Sequence, residues 1–187
     1  MRQDITELAF DPTIPVWRGP DDLSVEAHVT HDGENVIFRF DVTDDKHMQA
    51  GHPDAEVWRS DSVQVAFYNP LATAQTLIDL ALTQDNRAIV WCYRNTANRS
   101  LENRALTQAE APRLIRREGN RTRYEVRIPF AMSGLPSAKP LPKEGIPVRF
   151  TFLVNEDDGH GRVRWIRWRG GLGDNQDITP LGHAILK

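Results

Sequence analysis

The chain has 187 residues, 40% hydrophobic and 26% charged, with a net charge of −3 at pH 7. Those are the proportions of a folded chain large enough to bury a core without disulfide or metal staples, and the slight acidity gives no basic field for nucleic acid. No apolar run approaches the roughly 18 residues needed to span a bilayer, and the N-terminal MRQDITELAF lacks a signal peptide's apolar stretch, so no membrane partner is expected and any export signal lies outside this chain.

Short alternating segments bounded by Gly, Pro, Asn and Asp recur along the sequence, and helical periodicity is nearly absent. LSVEAHVT and VIFRFDVT flank an Asp-Gly turn and predict a first hairpin, with Val36, Phe38, Phe40 and Val42 on one face. The segment AEVWRSDSVQVAFYNP follows a long polar loop from Asp44 to Glu56 and alternates from Ser62 to Phe67. TLIDLALT and AIVWCYR around QDNR predict a second hairpin, and PRLIRRE and TRYEVRIPF around GNR a third. Between them, Asn95 to Glu110 is expected to form a loop with one helical turn near LTQAEA. MSGLPSAKPLPKEG reads as an internal connection, after which IPVRFTFLVN, RVRWIRW and GHAILK complete about nine or ten strands. The prediction is an all-β fold, a two-sheet antiparallel sandwich of immunoglobulin-like or jelly-roll-like form, in one domain over residues 1–187.

The residues that carry chemistry are sparse. A nucleophile elbow, a phosphate-cradling glycine loop and a zinc-type His pair are all missing, GGLGDN precedes no helix, and no pair of acids stands out, so no catalytic residue is assigned and no organic cofactor is expected. Cys92 is alone in an apolar run, which predicts a buried thiol. The six histidines are scattered. His47 and Met48 are residue types that ligate haem, but neighbours on an extended chain point apart, so a second axial ligand would come from elsewhere. Asp41, Asp44 and Asp45, and Asn155, Glu156, Asp157 and Asp158, cluster at strand ends, and we expect Asp44, Asp45 and Asp157 to be calcium ligands.

The five tryptophans are more informative. Trp91 and Trp17 are assigned to the core or its edge. Trp165 and Trp168 have opposite parity, so one faces inward and the other outward. Trp58 has no apolar neighbour at Glu56 or Ser60, and an aromatic face with polar residues around it is what a sugar ring requires.

WRGPDDLSVEAHVTHDGENVIFRFDVTDD, WRSDSVQVAFYNP, YEVRIPF, FTFLVNEDDGHGRVRWIRW and ITPLGHAILK occur in the order seen in family 9 carbohydrate-binding modules, which the whole chain resembles. The resemblance implies a β-sandwich related to the DOMON group, structural calcium, and attachment to an extracellular or periplasmic enzyme acting on polysaccharide. It places Trp58 as the first of two clamp tryptophans, Gln64 at a hydrogen-bonding position and Asp79 near one. Where the second clamp tryptophan stands, this sequence has Asn175; Trp168 is the candidate substitute. A noncatalytic sugar-binding module is therefore the leading expectation. A sandwich that has lost sugar binding, or a haem-carrying electron-transfer domain, are the alternatives.

Overall fold

The computed structural model describes residues 4–7, 16–49, 51–136, 141–173 and 176–187, the first of these segments through its backbone alone. Alternation becomes two antiparallel sheets. Strand β2 (Leu23–His31) turns into β3 (Asn35–Asp44) through Asp32, whose Oδ1 accepts the backbone N–H groups of Glu34 at 2.9 Å and Asn35 at 2.7 Å while Gly33 takes a φ of 85°. Beyond β3 lie β9 (Arg121–Pro129) and β8 (Arg113–Glu118), completing a sheet ordered β2-β3-β9-β8.

The larger sheet runs through β1 (Asp4–Glu7), β11 (Arg162–Trp168), β10 (Ile146–Asp157), β4 (Ser62–Asn69), β5 (Ala74–Leu82), β6 (Ala88–Asn95) and the two-residue β7 (Arg104–Ala105). The closing strand β12 (Gly182–Leu186) pairs the first half of β10, and β11 pairs its second half. Each strand predicted from the sequence is present; β1 and β7 are additions too short to show alternation. The helical turn expected at LTQAEA is present as a single turn, in which the Ala111 N–H donates to the Thr107 carbonyl at 3.1 Å, and Glu110 closes it by accepting from the Thr107 N–H and hydroxyl, both at 2.9 Å, and pairing with Arg104.

The core lies between the sheets. Phe38 and Phe40 from β3 meet Phe67, Phe150 and Phe152 of the larger sheet, with the Phe38 ring edge-on to Phe67 and Phe150 at 6.2 and 5.8 Å. Trp168 packs on the same side, 4.7 Å from Phe150 and 6.3 Å from Phe152. Trp91 corrects its assignment: Val90 and Cys92 are the inward residues of β6, so alternation sends Ile89 and Trp91 to the opposite face of the sheet. On the outer face of the smaller sheet, Arg39 and Arg123 both bond Asp41 and Arg127 pairs with Glu125 and Asp32, an ion-pair lattice across strands.

One end of the sandwich is closed by charge. Arg164 on β11 is fully buried, and its Nη1 meets Glu156 on β10, Asp22 before β2 at 3.5 Å, and Asp158 at 3.7 Å. Asp22 also accepts from the exposed Arg18, so the cluster ties the entry to the smaller sheet onto the larger one.

Candidate functional site

The site stands on the outer face of the larger sheet, the side turned away from the core. Trp91, Asp79, Gln64 and Leu153 form one row across β6, β5, β4 and β10. Two connections cover this face. One is a 3-10 helix, Asp54–Arg59, which buries Val57 against Ala81 and Ile89 and so turns the next side chain, Trp58, along the face. The helix is held from three sides: Gln49 Nε2 donates to the Val57 carbonyl at 3.1 Å, Arg87 grips Asp54 with two bonds of 2.9 and 3.0 Å, and the Tyr93 hydroxyl donates to the Ala55 carbonyl. The other connection, after β11, packs Leu172, Ile178 and Leu181 against Leu153 and Trp165. Gly173 sits so close to Trp165 that a Cβ would stand 3.1 Å from the ring, and its φ of 87° suits glycine.

Two β-bulges re-aim side chains here. Ile78 pairs with Cys92 but Leu77 with Arg94, so Tyr93 is an extra residue and Arg94 returns to the outer face. Likewise Glu156 pairs with Arg164 but Asp157 with Arg162, so Val163 is extra and Arg162 leaves the core side on which Arg164 sits. The product is an open cavity of about 260 Å³ lined by Trp58, Gln64, Tyr93, Arg162, Gly173 and Gln176.

Within it Trp58 is partly exposed, with the Arg59 and Arg162 guanidinium groups 4.9 and 4.8 Å from its ring centre. Arg162 also lies over Trp165 at 4.9 Å. Gln64 Nε2 donates to Asp79 Oδ1 at 3.0 Å, which fixes the amide and leaves its oxygen free to accept from a ligand. Asp79 is fully buried. Burial pushes its carboxyl up to about 7, against the lowering effect of the Gln64 hydrogen bond, the nearby Tyr93 hydroxyl and Arg162. Its Oδ2 and the Trp91 Nε1 opposite have no hydrogen-bond partner among the described residues. An aromatic face beside fixed amide and guanidinium groups in an open trough matches a polyhydroxylated ring better than an extended apolar ligand.

The sequence matches the model of the carbohydrate family 9 binding domain-like family over residues 4–187. The chain belongs to that family. Two solved structures share its fold. A family 9 carbohydrate-binding module from Caldicellulosiruptor kristjanssonii in complex with cellotriose has 17% identity and a TM-score of 0.62, over 91% of this chain and 78% of that one. A family 9 module from the same organism in complex with glucose has 16% identity and a TM-score of 0.60, over 97% and 92%. No curated protein matches the sequence.

Against this family 9-like frame, the structure brings three of the expected site residues together. Trp58 and Gln64 line the cavity and Asp79 lies directly beneath. Asn175 falls outside the described residues. Trp168 is on the core side of the sheet, paired with Phe152 and stacked on it, so it does not face Trp58. Arg162 and Tyr93 are the members that sequence reasoning missed, Arg162 because strand parity fails at a bulge and Tyr93 because it shares the parity of Trp91, which the sequence assigns to the core.

The expected calcium ligands are not brought together. Asp45 pairs with Arg18, and Asp157 is occupied by the N–H groups of Gly159, His160 and Gly161 and by the Ser60 hydroxyl. Asp44 instead meets Asp61 and His47, whose ligand atoms lie within 4.8 Å of one another. Burial and the neighbouring Asp61 carboxylate push the Asp44 carboxyl up to about 8, and burial raises Asp61 as well. The His47 Nε2 stands 2.9 Å from the Leu82 carbonyl, which assigns the N–H to that nitrogen and turns a bare Nδ1 toward Asp61 Oδ2 at 3.4 Å. Two crowded carboxylates facing a ring lone pair fit a divalent cation. The cluster of Asp22, Glu156 and Asp158 does not, because the Arg164 guanidinium already supplies its positive charge. Both His47 nitrogens face protein partners, Nε2 the Leu82 carbonyl and Nδ1 Asp61, so neither faces a pocket as a haem ligand would.

Proposed function

We propose that the chain is a noncatalytic carbohydrate-binding module in which a sugar ring stacks on Trp58 and places hydroxyl groups on the Gln64 amide, within a larger extracellular or periplasmic enzyme that degrades polysaccharide. The observation that carries the reading is the position of Trp58, partly exposed over a polar-rimmed trough in a chain of the family 9 binding domain-like family. Arg59 must move off the ring to admit a ligand. Its tie is an exposed pair with Glu56 at 2.9 Å, of a kind worth about 0.2–1 kcal/mol, so displacement is cheap. With one stacked ring and a few wet hydrogen bonds, binding is weak to moderate.

The test is affinity electrophoresis against immobilised soluble polysaccharides. Trp58→Ala should lose about tenfold or more in affinity, as expected for removing one stacked aromatic, with unfolding behaviour preserved because the ring is partly exposed. Undiminished retardation of the variant would remove Trp58 from the site. No retardation of the parent chain by any sugar would favour the second reading, a sandwich retained for structure with its tryptophan covered by Arg59 and Arg162.

Asp44 and Asp61 are proposed to hold a calcium ion through their carboxylate oxygens, with His47 beside the ion and not a ligand. The ion would neutralise the crowded carboxylates and tie the end of β3 to the start of β4. Calcium at about 100-fold above its Kd should then raise stability by about 2.7 kcal/mol, and Asp61→Asn should abolish that response in thermal unfolding scans.

A further inference from the structure

Two arginines at the trough, Arg162 and Arg94, differ from Arg39, Arg123 and Arg127 on the smaller sheet. On the smaller sheet Arg39, Arg123 and Arg127 each have a carboxylate partner. Arg162 is half-buried between the Trp58 and Trp165 rings, and its hydrogen bond is a long one, 3.3 Å from Nη1 to Asn155 Oδ1. Arg94 stands behind the rim, with Nη1 3.2 Å from Gln75 Oε1 and Nη2 3.5 Å from Gln176 Oε1. Among the described residues neither guanidinium has a carboxylate within 4 Å, although each offers five N–H donors. Both are delivered to this face by the two β-bulges, devices that re-aim side chains at functional positions.

We infer that the saccharide carries an anionic substituent, a ring carboxylate or a sulfate ester, received by Arg162 with Arg94 in support. This rests on the proposed sugar site and narrows its ligand class. A planar guanidinium matches the two oxygens of either anion, and the stacked rings exclude water that would weaken the pairing. Among the described residues the acid beneath the trough is Asp79, whose Oδ1 accepts from the Gln64 amide. Burial of Arg162 lowers its pKa, the mark of a cation held away from water without a full counter-charge. Near neutral pH the raised Asp79 carboxyl supplies only part of that charge. A neutral ring would leave the imbalance in place, whereas an anionic one removes it on binding.

The test is calorimetric titration of the intact chain with oligosaccharides of matched length. The probes are neutral hexose chains, hexuronate chains, and neutral chains bearing O-sulfate groups. The wild-type chain should bind at least one anionic series about tenfold tighter than the neutral one, the size of one charge-assisted contact, and this preference should shrink as salt is raised. Arg162→Gln should collapse the ratio of anionic to neutral affinity, and Arg94→Gln should reduce it in part. The uronate and sulfate arms decide which anion is read. Neutral chains that bind as tightly as both anionic series, with binding lost in Trp58→Ala, would overturn this inference and leave the sugar site standing. Absence of binding in all three arms would overturn both.

Discussion

Replacing Arg164 by Met is expected to cost about 3–5 kcal/mol of stability, a large share of the roughly 5–15 kcal/mol that holds a domain together. Arg164 is completely buried and is the cation that Asp22, Glu156 and Asp158 share. Without it three carboxylates remain close together at the sandwich end, their buried cation gone and Asp22 left with the exposed Arg18. Burial already pushes the Glu156 carboxyl up to about 8, with Asp158 and Asp22 adding to the rise and Arg164 opposing it. The variant should therefore protonate this cluster at still higher pH and unfold at lower urea concentration. Glu156→Gln offers the contrast: it removes one of the crowded negative charges while keeping an acceptor for the guanidinium, so its cost should stay near 1 kcal/mol. Equal urea midpoints for Arg164→Met and the parent would show that the cluster is not a staple.

The second large effect is a pH dependence centred on Asp79. The fold raises this carboxyl from an ordinary value of 3.8 to about 7, so between those values the folded chain holds a proton that the unfolded chain has released. Stability from this group is consequently full at low pH and declines as pH rises from about 4 through 7. Above that range, ionising a fully buried carboxyl costs on the order of 2–4 kcal/mol. Asp79→Asn keeps an oxygen for the Gln64 amide and cannot ionise. Its thermal midpoint should exceed that of the parent at pH 8.5 and fall at or below it at pH 5, since the new N–H group enters the partnerless position of Oδ2. Asp44 and Glu156 titrate in both proteins and contribute equally to the two curves. Parallel curves for parent and variant across this range would locate the titration elsewhere.

Much of the sandwich was legible because its strands obey a period of two. Val36 to Val42 and Val63 to Phe67 alternate without interruption, and both rows are buried as expected. Legibility fails where parity is broken or where both faces are covered. AIVWCY is apolar throughout, which points Trp91 to the core by sequence; the run is apolar because a helix and a loop pack on its outer face while the core takes the other. The comparison of Trp58 with Glu56 and Ser60 presumes an extended chain, whereas Trp58 belongs to a 3-10 helix that begins after Pro53. That correction keeps its outward role and explains it, since Val57 takes the inward position.

The arginines show the same limit more sharply. Counting by twos places Arg162 beside Arg164, on the core side, and the single extra residue Val163 sends one into the trough and the other into a buried ion cluster. Nothing in the local sequence RVRWIRW marks that bulge. The expected calcium ligands are dispersed for a different reason: Asp44 and Asp45 are neighbours in sequence but meet different partners, and the residues that converge, Asp44, His47 and Asp61, come from the end of β3, the loop after it and the residue before β4. Long-range convergence of this kind is set by sheet order, which periodicity does not encode.

The central claim is that a sugar is bound at the Trp58 face of the larger sheet. Its most direct test is a crystal structure of the chain with the tightest-binding oligosaccharide from the titration panel. The account predicts a pyranose ring stacked on Trp58 with Arg59 displaced, and a hydroxyl group bonded to Gln64. A sugar bound elsewhere, for instance in the Asp41 and Arg123 cleft of the smaller sheet, with Arg59 still over the Trp58 ring, would contradict it.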